Sequence, residues 1–149
     1  MKTYLKVALS LVAAASVFGA DKTKSNITVE VMVFSGRPNP TWQLQDTKAL
    51  EKLKAKAKDL PEAFTAEPAE WSRLGFAGFL IRGGASMGLP DVIRVYQGVV
   101  KAGHGEGAKY LKDLTRLEQS LIDEAKQQPL HPLVMEAITK YEKGRKTPP

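Results

Sequence analysis

Hydrophobic and polar residues alternate through residues 27–34, "ITVEVMVF": Ile27, Val29, Val31 and Val33 fall on one face, and Thr28, Glu30, Met32 and Phe34 on the other. A period of two marks a strand with one buried face, the habit of antiparallel sheets. The period then changes. Across residues 46–60, "DTKALEKLKAKAKDL", Ala49, Leu50, Leu53, Ala57 and Leu60 recur at helical spacing, with Asp46 placed to cap the start and Pro61 to stop the end. Residues 61–72 read as a polar, proline-containing loop closing at Trp71. "LGFAGFLIR" (74–82) reads as a second strand whose glycines permit close approach or a bulge, and "RGGASMGLP" (82–90) as a turn-rich connection. "DVIRVYQGVV" (91–100) reads as a third strand turning Ile93, Val95 and Val99 inward, and Lys109, Tyr110 and Leu111 as a small fourth. From Asp113, placed as an N-cap, Leu114, Leu117, Leu121, Ile122 and Ala125 make a helical stripe, broken at Pro129. Pro132 opens a last helix carrying Leu133, Val134, Ala137, Ile138 and Tyr141.

The order strand, helix, strand, strand, helix, helix predicts an α+β domain: a small antiparallel sheet of three to four strands covered on one face by about three helices. No internal repeat or low-complexity segment interrupts it.

The chain opens "MKTYLKVALSLVAAASVFGADK", a short basic stretch, an apolar run and small residues before Asp21. The apolar run is too short to span a bilayer, so residues 1–20 read as a cleaved secretory signal and the mature protein as secreted or periplasmic. Residues 25–141 form the expected single domain, and 142–149 a basic, disordered tail. With no cysteine, the fold must be held by burial rather than by disulfides. The formal charge of +6 sits at the ends: Lys2 and Lys6 in the signal, residues 21–24, and residues 140–149 account for all of it. The body is neutral, which argues against nucleic acid, since phosphate binding needs a basic stripe on the folded surface. The basic tail is a candidate for weak, salt-sensitive contact with an anionic envelope.

Several patterns suggest chemistry and fail on physical grounds. Residues 84–88, "GASMG", match a nucleophile elbow, and Asp113 and His131 follow in triad order, but an elbow needs a helix directly after the serine and a large α/β sheet. Here Leu89, Pro90 and a β-patterned run follow. His104, Glu106 and His131 lack the spacing of metal ligands, and neither a metal nor a cofactor is expected.

The densest cluster of special residues is "FSGRPNPTW", 34–42. Gly36 allows a sharp turn at the strand end. Arg37 and Asn39 each precede a proline, Pro38 or Pro40, and both are pushed toward extended backbone. The expected product is a stiff ridge presenting Ser35, Arg37, Asn39 and Trp42 to a peptide, glycan or protein ligand, with an arginine fork, an amide and an indole. The competing reading is a buried clasp, in which Arg37 bridges to Asp113 or Glu118 and Trp42 closes the core. A small hydrolase or transferase would instead require a carboxylate, His104 or Ser86 beside Arg37.

"VEVMVFSGRPNPTWQL", an amphipathic helix, "LGFAGFLI" and a helix carrying Asp113, Arg116 and Glu118 together resemble a family of small secreted proteins of bacteria and fungi marked by an S-G-R-P-N-P-x-W stretch. The matching positions are Ser35, Gly36, Arg37, Pro38, Asn39, Pro40 and Trp42, with Leu74, Gly75 and Gly78 weaker. The resemblance spans most of the mature chain. It implies an exported protein and no particular activity.

Overall fold

The computed structural model describes residues 26–34, 36–72 and 75–145; the expected signal (1–20), Ser35, Leu74 and residues 146–149 lie outside them. Among the described residues, seven strands form: β1 (Thr28–Val31), β2 (Thr41–Gln43), β3 (Glu62–Phe64), β4 (Phe79–Arg82), β5 (Val92–Tyr96), β6 (Val99–Ala102) and β7 (Lys109–Lys112). Three helices accompany them: α1 (Thr47–Ala57), α2 (Leu117–Ala125) and α3 (Pro132–Gly144). The strands make one open sheet in the order β2-β1-β4-β5-β6-β7-β3, and every neighbouring pair is antiparallel.

The α+β composition holds, but the expected sheet of three to four strands is wrong: the sheet has seven. The stretch read as one strand over 91–100 is a hairpin. Gln97 (φ 53°) and Gly98 (φ 76°) both take left-handed backbone, making a two-residue turn whose twist suits antiparallel strands. The turn also reverses the expected inward set. Val99 pairs with Tyr96 and shares its face, opposite to Val95. β2 and β3, three residues each, are too short to show alternation and form by adding to the edges against β1 and β7.

The face bearing Val29, Val31, Phe79, Ile81, Ile93, Val95 and Val100 packs with Leu53 and Ala57 of α1, Leu117, Leu121, Ile122 and Ala125 of α2, and Val134 and Ile138 of α3. The other face carries a smaller cluster of Trp71, Tyr96 and Val99. Leu114, expected on the α2 stripe, is exposed because α2 begins only at Leu117. The domain also continues beyond the expected boundary at 141. α3 runs to Gly144, and Arg145 is tied to Glu118 at 2.8 Å, so residues 142–145 belong to the fold and not to a tail.

Strand directions gather the motifs at one end of the sheet. Val31, the last residue of β1, faces Phe79, the first of β4; Phe79 faces Val95, near the end of β5; and Val99, the first of β6, faces Lys112, the last of β7. The β1–β2 loop, the segment entering β4, the β5–β6 turn and the β7–α2 loop therefore emerge together. Gly78 allows that crowding: a Cβ there would lie 2.2 Å from the Val95 carbonyl oxygen.

Candidate functional site

The β1–β2 loop is braced from within. The backbone N–H groups of Val33 and Phe34 donate to Asn39 Oδ1 at 3.0 and 2.7 Å, and Asn39 Nδ2 donates to Glu30 Oε1 at 2.9 Å. Glu30 also lies 3.8 Å from Arg82 Nε. Met32 exchanges backbone bonds with the segment entering β4, accepting from Ala77 N–H at 2.7 Å and donating to Gly78 at 2.9 Å. Gly36 takes φ 83°, as the turn requires.

On this frame Arg37 and Pro38 are exposed. The Arg37 guanidinium lies 3.8 Å over the Phe34 ring and has no carboxylate partner among the described residues. The expected bridge from Arg37 to Asp113 or Glu118 does not form; Glu118 is paired with Arg145 instead. Trp42 is half-buried, edge-on to Phe79 with ring centroids 6.5 Å apart, and its Nε1 donates a long 3.4 Å bond to Glu124. It is a core side chain, not a stacking platform on the loop surface. Burial raises the Glu124 carboxyl above its usual range, with the Trp42 bond opposing that shift. Asn39 and Trp42 thus pin the loop, and Arg37 is exposed on it.

The other three motif residues line a cleft of about 960 Å³ at the same end of the sheet. Asp113 takes its backbone N–H to the Gly98 carbonyl at 2.9 Å, and its carboxylate accepts from the Leu117 and Glu118 N–H groups at 2.7 and 2.9 Å. It therefore caps α2 from three residues before the backbone N-cap. That N-cap is Arg116, in left-handed conformation (φ 60°) and exposed. Thr115 fixes the same loop to the end of α1, with Thr115 Oγ1 donating to the Lys56 carbonyl at 2.6 Å and Lys56 Nζ donating to the Thr115 carbonyl at 2.5 Å.

Glu118 forms the floor of the cleft and is only 3% exposed. Tyr141 Oη donates to its carboxylate at 3.0 Å, Arg145 Nη1 at 2.8 Å and the Gln97 backbone N–H at 2.6 Å. Burial raises the Glu118 carboxyl above its usual range, and the Arg145 and Tyr141 bonds only partly offset this. Burial, then the Glu118 charge, pushes the Tyr141 phenol far upward, so it stays a proton donor.

No protein-family model, curated protein or solved structure matches the chain. Ser86 sits in a 3-10 turn (Gly84–Met87) between β4 and β5, with its hydroxyl donating to the Gly83 carbonyl at 2.9 Å. His104 precedes another such turn between β6 and β7. Both connections lie at the end of the sheet opposite to Asp113 and the Arg37 loop, so no triad or pocket unites them. His131 caps α3, its Nδ1 accepting from Leu133 N–H at 3.2 Å. Among the described residues no group of three or more His, Asp or Glu side chains is placed to hold a metal ion.

Sequence reasoning missed Gln97, Tyr141 and Arg145 as partners of Glu118. Two signals pointed to them. Glu118 lies three and four residues before Leu121 and Ile122, on the apolar stripe where a carboxylate must find donors. Tyr141 and Arg145 are four apart and so share a helix face.

Proposed function

We propose that this chain is an exported, non-enzymatic binding domain that recognises a carboxylate-bearing peptide or glycan through the motif end of its sheet, with Arg37 as the contact group. The observation that carries this reading is an exposed guanidinium 3.8 Å over the Phe34 ring, without an ion partner among the described residues, on a loop whose interior is bonded through Asn39. An exposed guanidinium suits the paired oxygens of a carboxylate, and a pre-ordered loop loses little entropy on binding. Export rests on the basic-apolar-small pattern of residues 1–20.

The test is a comparison of wild type and Arg37→Ala on peptide and glycan arrays, with thermal melting as the control. The expected result is a set of acidic features bound by wild type and lost by the variant, with unchanged melting. Equal binding by both proteins, or no bound feature at all, refutes the reading. A scaffold role is the second reading, favoured by the Asn39–Glu30 and Trp42–Glu124 bonds that pin loop to sheet and helix. It predicts that Arg37 is dispensable in every assay.

A further inference from the structure

The cleft beside Glu118 holds an imbalance that its formal charges hide. Its carboxylates are all engaged. Asp113 caps α2, Glu118 takes three donors, and Glu142 accepts from Gln119 Nε2 at 2.9 Å and Lys126 Nζ at 2.6 Å. Arg145 is spent on Glu118 and Gln119. The charged groups left on the walls are Arg116 and Lys140, both exposed and without an ion partner among the described residues. The same cleft is also lined by Ala66, Pro68 and Phe64, a large apolar side chain that is 39% exposed on edge strand β3. Arg116 is held in left-handed backbone by the Asp113 cap, which fixes where its side chain starts.

We propose that this cleft binds a small organic anion on an apolar stem, its charged end met by Arg116 and Lys140 and its body by Phe64 and Pro68. The volume of about 960 Å³ is at the upper end of ligand-sized cavities. Two cations without an ion partner among the described residues, in a cleft that is also lined by apolar side chains, select an amphiphilic anion over a neutral or cationic ligand. The inference rests on the motif end being a binding surface but uses no residue of the β1–β2 loop, so the two proposals fail separately.

The experiment is an amide-resonance titration of the isotope-labelled protein with 3-phenylpropionate, 3-phenylpropyl phosphate and neutral 3-phenylpropionamide. The expected result is saturable shifts at Gly98, Arg116 and Gln119 for the anions, with a Kd of about 1 mM for ligands this small. The amide binds at least about tenfold more weakly. Arg116→Gln and Lys140→Gln each weaken anion binding several-fold, Arg37→Ala leaves it unchanged, and the tighter of the two anions identifies the headgroup. Both cations are exposed, so these variants keep the wild-type melting temperature within about 2 °C. The inference is overturned if the amide binds like the anions, if no probe saturates, or if neither cleft variant changes the affinity. Anion binding in the cleft without any Arg37-dependent ligand sinks the loop reading alone.

Discussion

Replacing Asn39 by alanine isolates the brace of the β1–β2 loop. The change removes the acceptor of the Val33 and Phe34 N–H groups and one donor to Glu30. Both N–H groups are half-buried, so water replaces their partner incompletely, at about 1 kcal/mol each. Glu30 keeps a 3.8 Å contact with a largely exposed Arg82, which contributes almost nothing. The sum is about 2–3 kcal/mol, or about 8–12 °C in Tm for a domain of roughly 120 residues. Arg37→Ala removes only an exposed stack on Phe34, worth about 0.5 kcal/mol, and shifts Tm by less than about 2 °C. Thermal denaturation followed by circular dichroism reads both. Asn39→Asp sharpens the test, because it keeps the acceptor for the two N–H groups but sets a carboxylate against Glu30. That repulsion is a penalty at neutral pH and fades in acid, where protonation removes one of the two charges. If Arg37→Ala costs as much as Asn39→Ala, or Asn39→Asp shows no recovery in acid, the division of the loop into brace and presented group is wrong.

Two further substitutions probe the frame around the site. Gly78→Ala places a Cβ 2.2 Å from the Val95 carbonyl oxygen and 2.6 Å from Tyr96 Cβ, and costs about 3–5 kcal/mol in denaturant unfolding, whereas Gly36→Ala meets no atom within 4 Å and costs about 1 kcal/mol for left-handed backbone. Near-equal costs contradict the crowding at Gly78. Glu118→Gln tests the buried carboxylate: its folded pKa is raised, so the folded state holds the proton more tightly, and wild-type stability from this group is present below the unfolded pKa and lost as pH rises through the folded one. The stability of Glu118→Gln relative to wild type therefore grows from pH 4 to pH 7, and a flat or falling difference refutes the assignment.

The elements legible in the sequence were those whose signal is local. Asp46 and Pro132 mark helix starts by chemistry that needs no tertiary partner, and both stand where expected, Asp46 accepting from Lys48 N–H at 3.3 Å. Four of the seven strands were visible because alternation or an apolar run extends over several residues. The edge strands β2 and β3 were not, since three residues carry no period and their existence depends on β1 and β7 already being in place. The β5–β6 hairpin was hidden by its turn. Gln-Gly is a weak turn signal compared with Asn-Gly, and Gln97 holds its left-handed backbone in a structure where Glu118, twenty-one residues on, accepts its N–H. The candidate site divided the same way. The stiffness of the Arg37 loop followed from its prolines, but the partner of Glu118 lay at the far end of the chain, beyond any local pattern.

That distant partner explains why a carboxylate stands where the helix stripe calls for an apolar residue. Burying a charge pair rarely stabilises a fold more than a well-packed apolar replacement. What an apolar side chain cannot do is accept from three directions at once. Glu118 takes a turn N–H from the sheet, a phenol from α3 and a guanidinium from the residue just past α3, and so fixes two elements, the β5–β6 turn and α3, to the start of α2. Those elements are the walls of the cleft. A purely apolar contact would tolerate sliding of α3 along the sheet; the directional bonds do not. The desolvation carried by Glu118 is therefore the cost of holding Tyr141 and Arg145 in register beside Arg116 and Lys140 on the cleft wall.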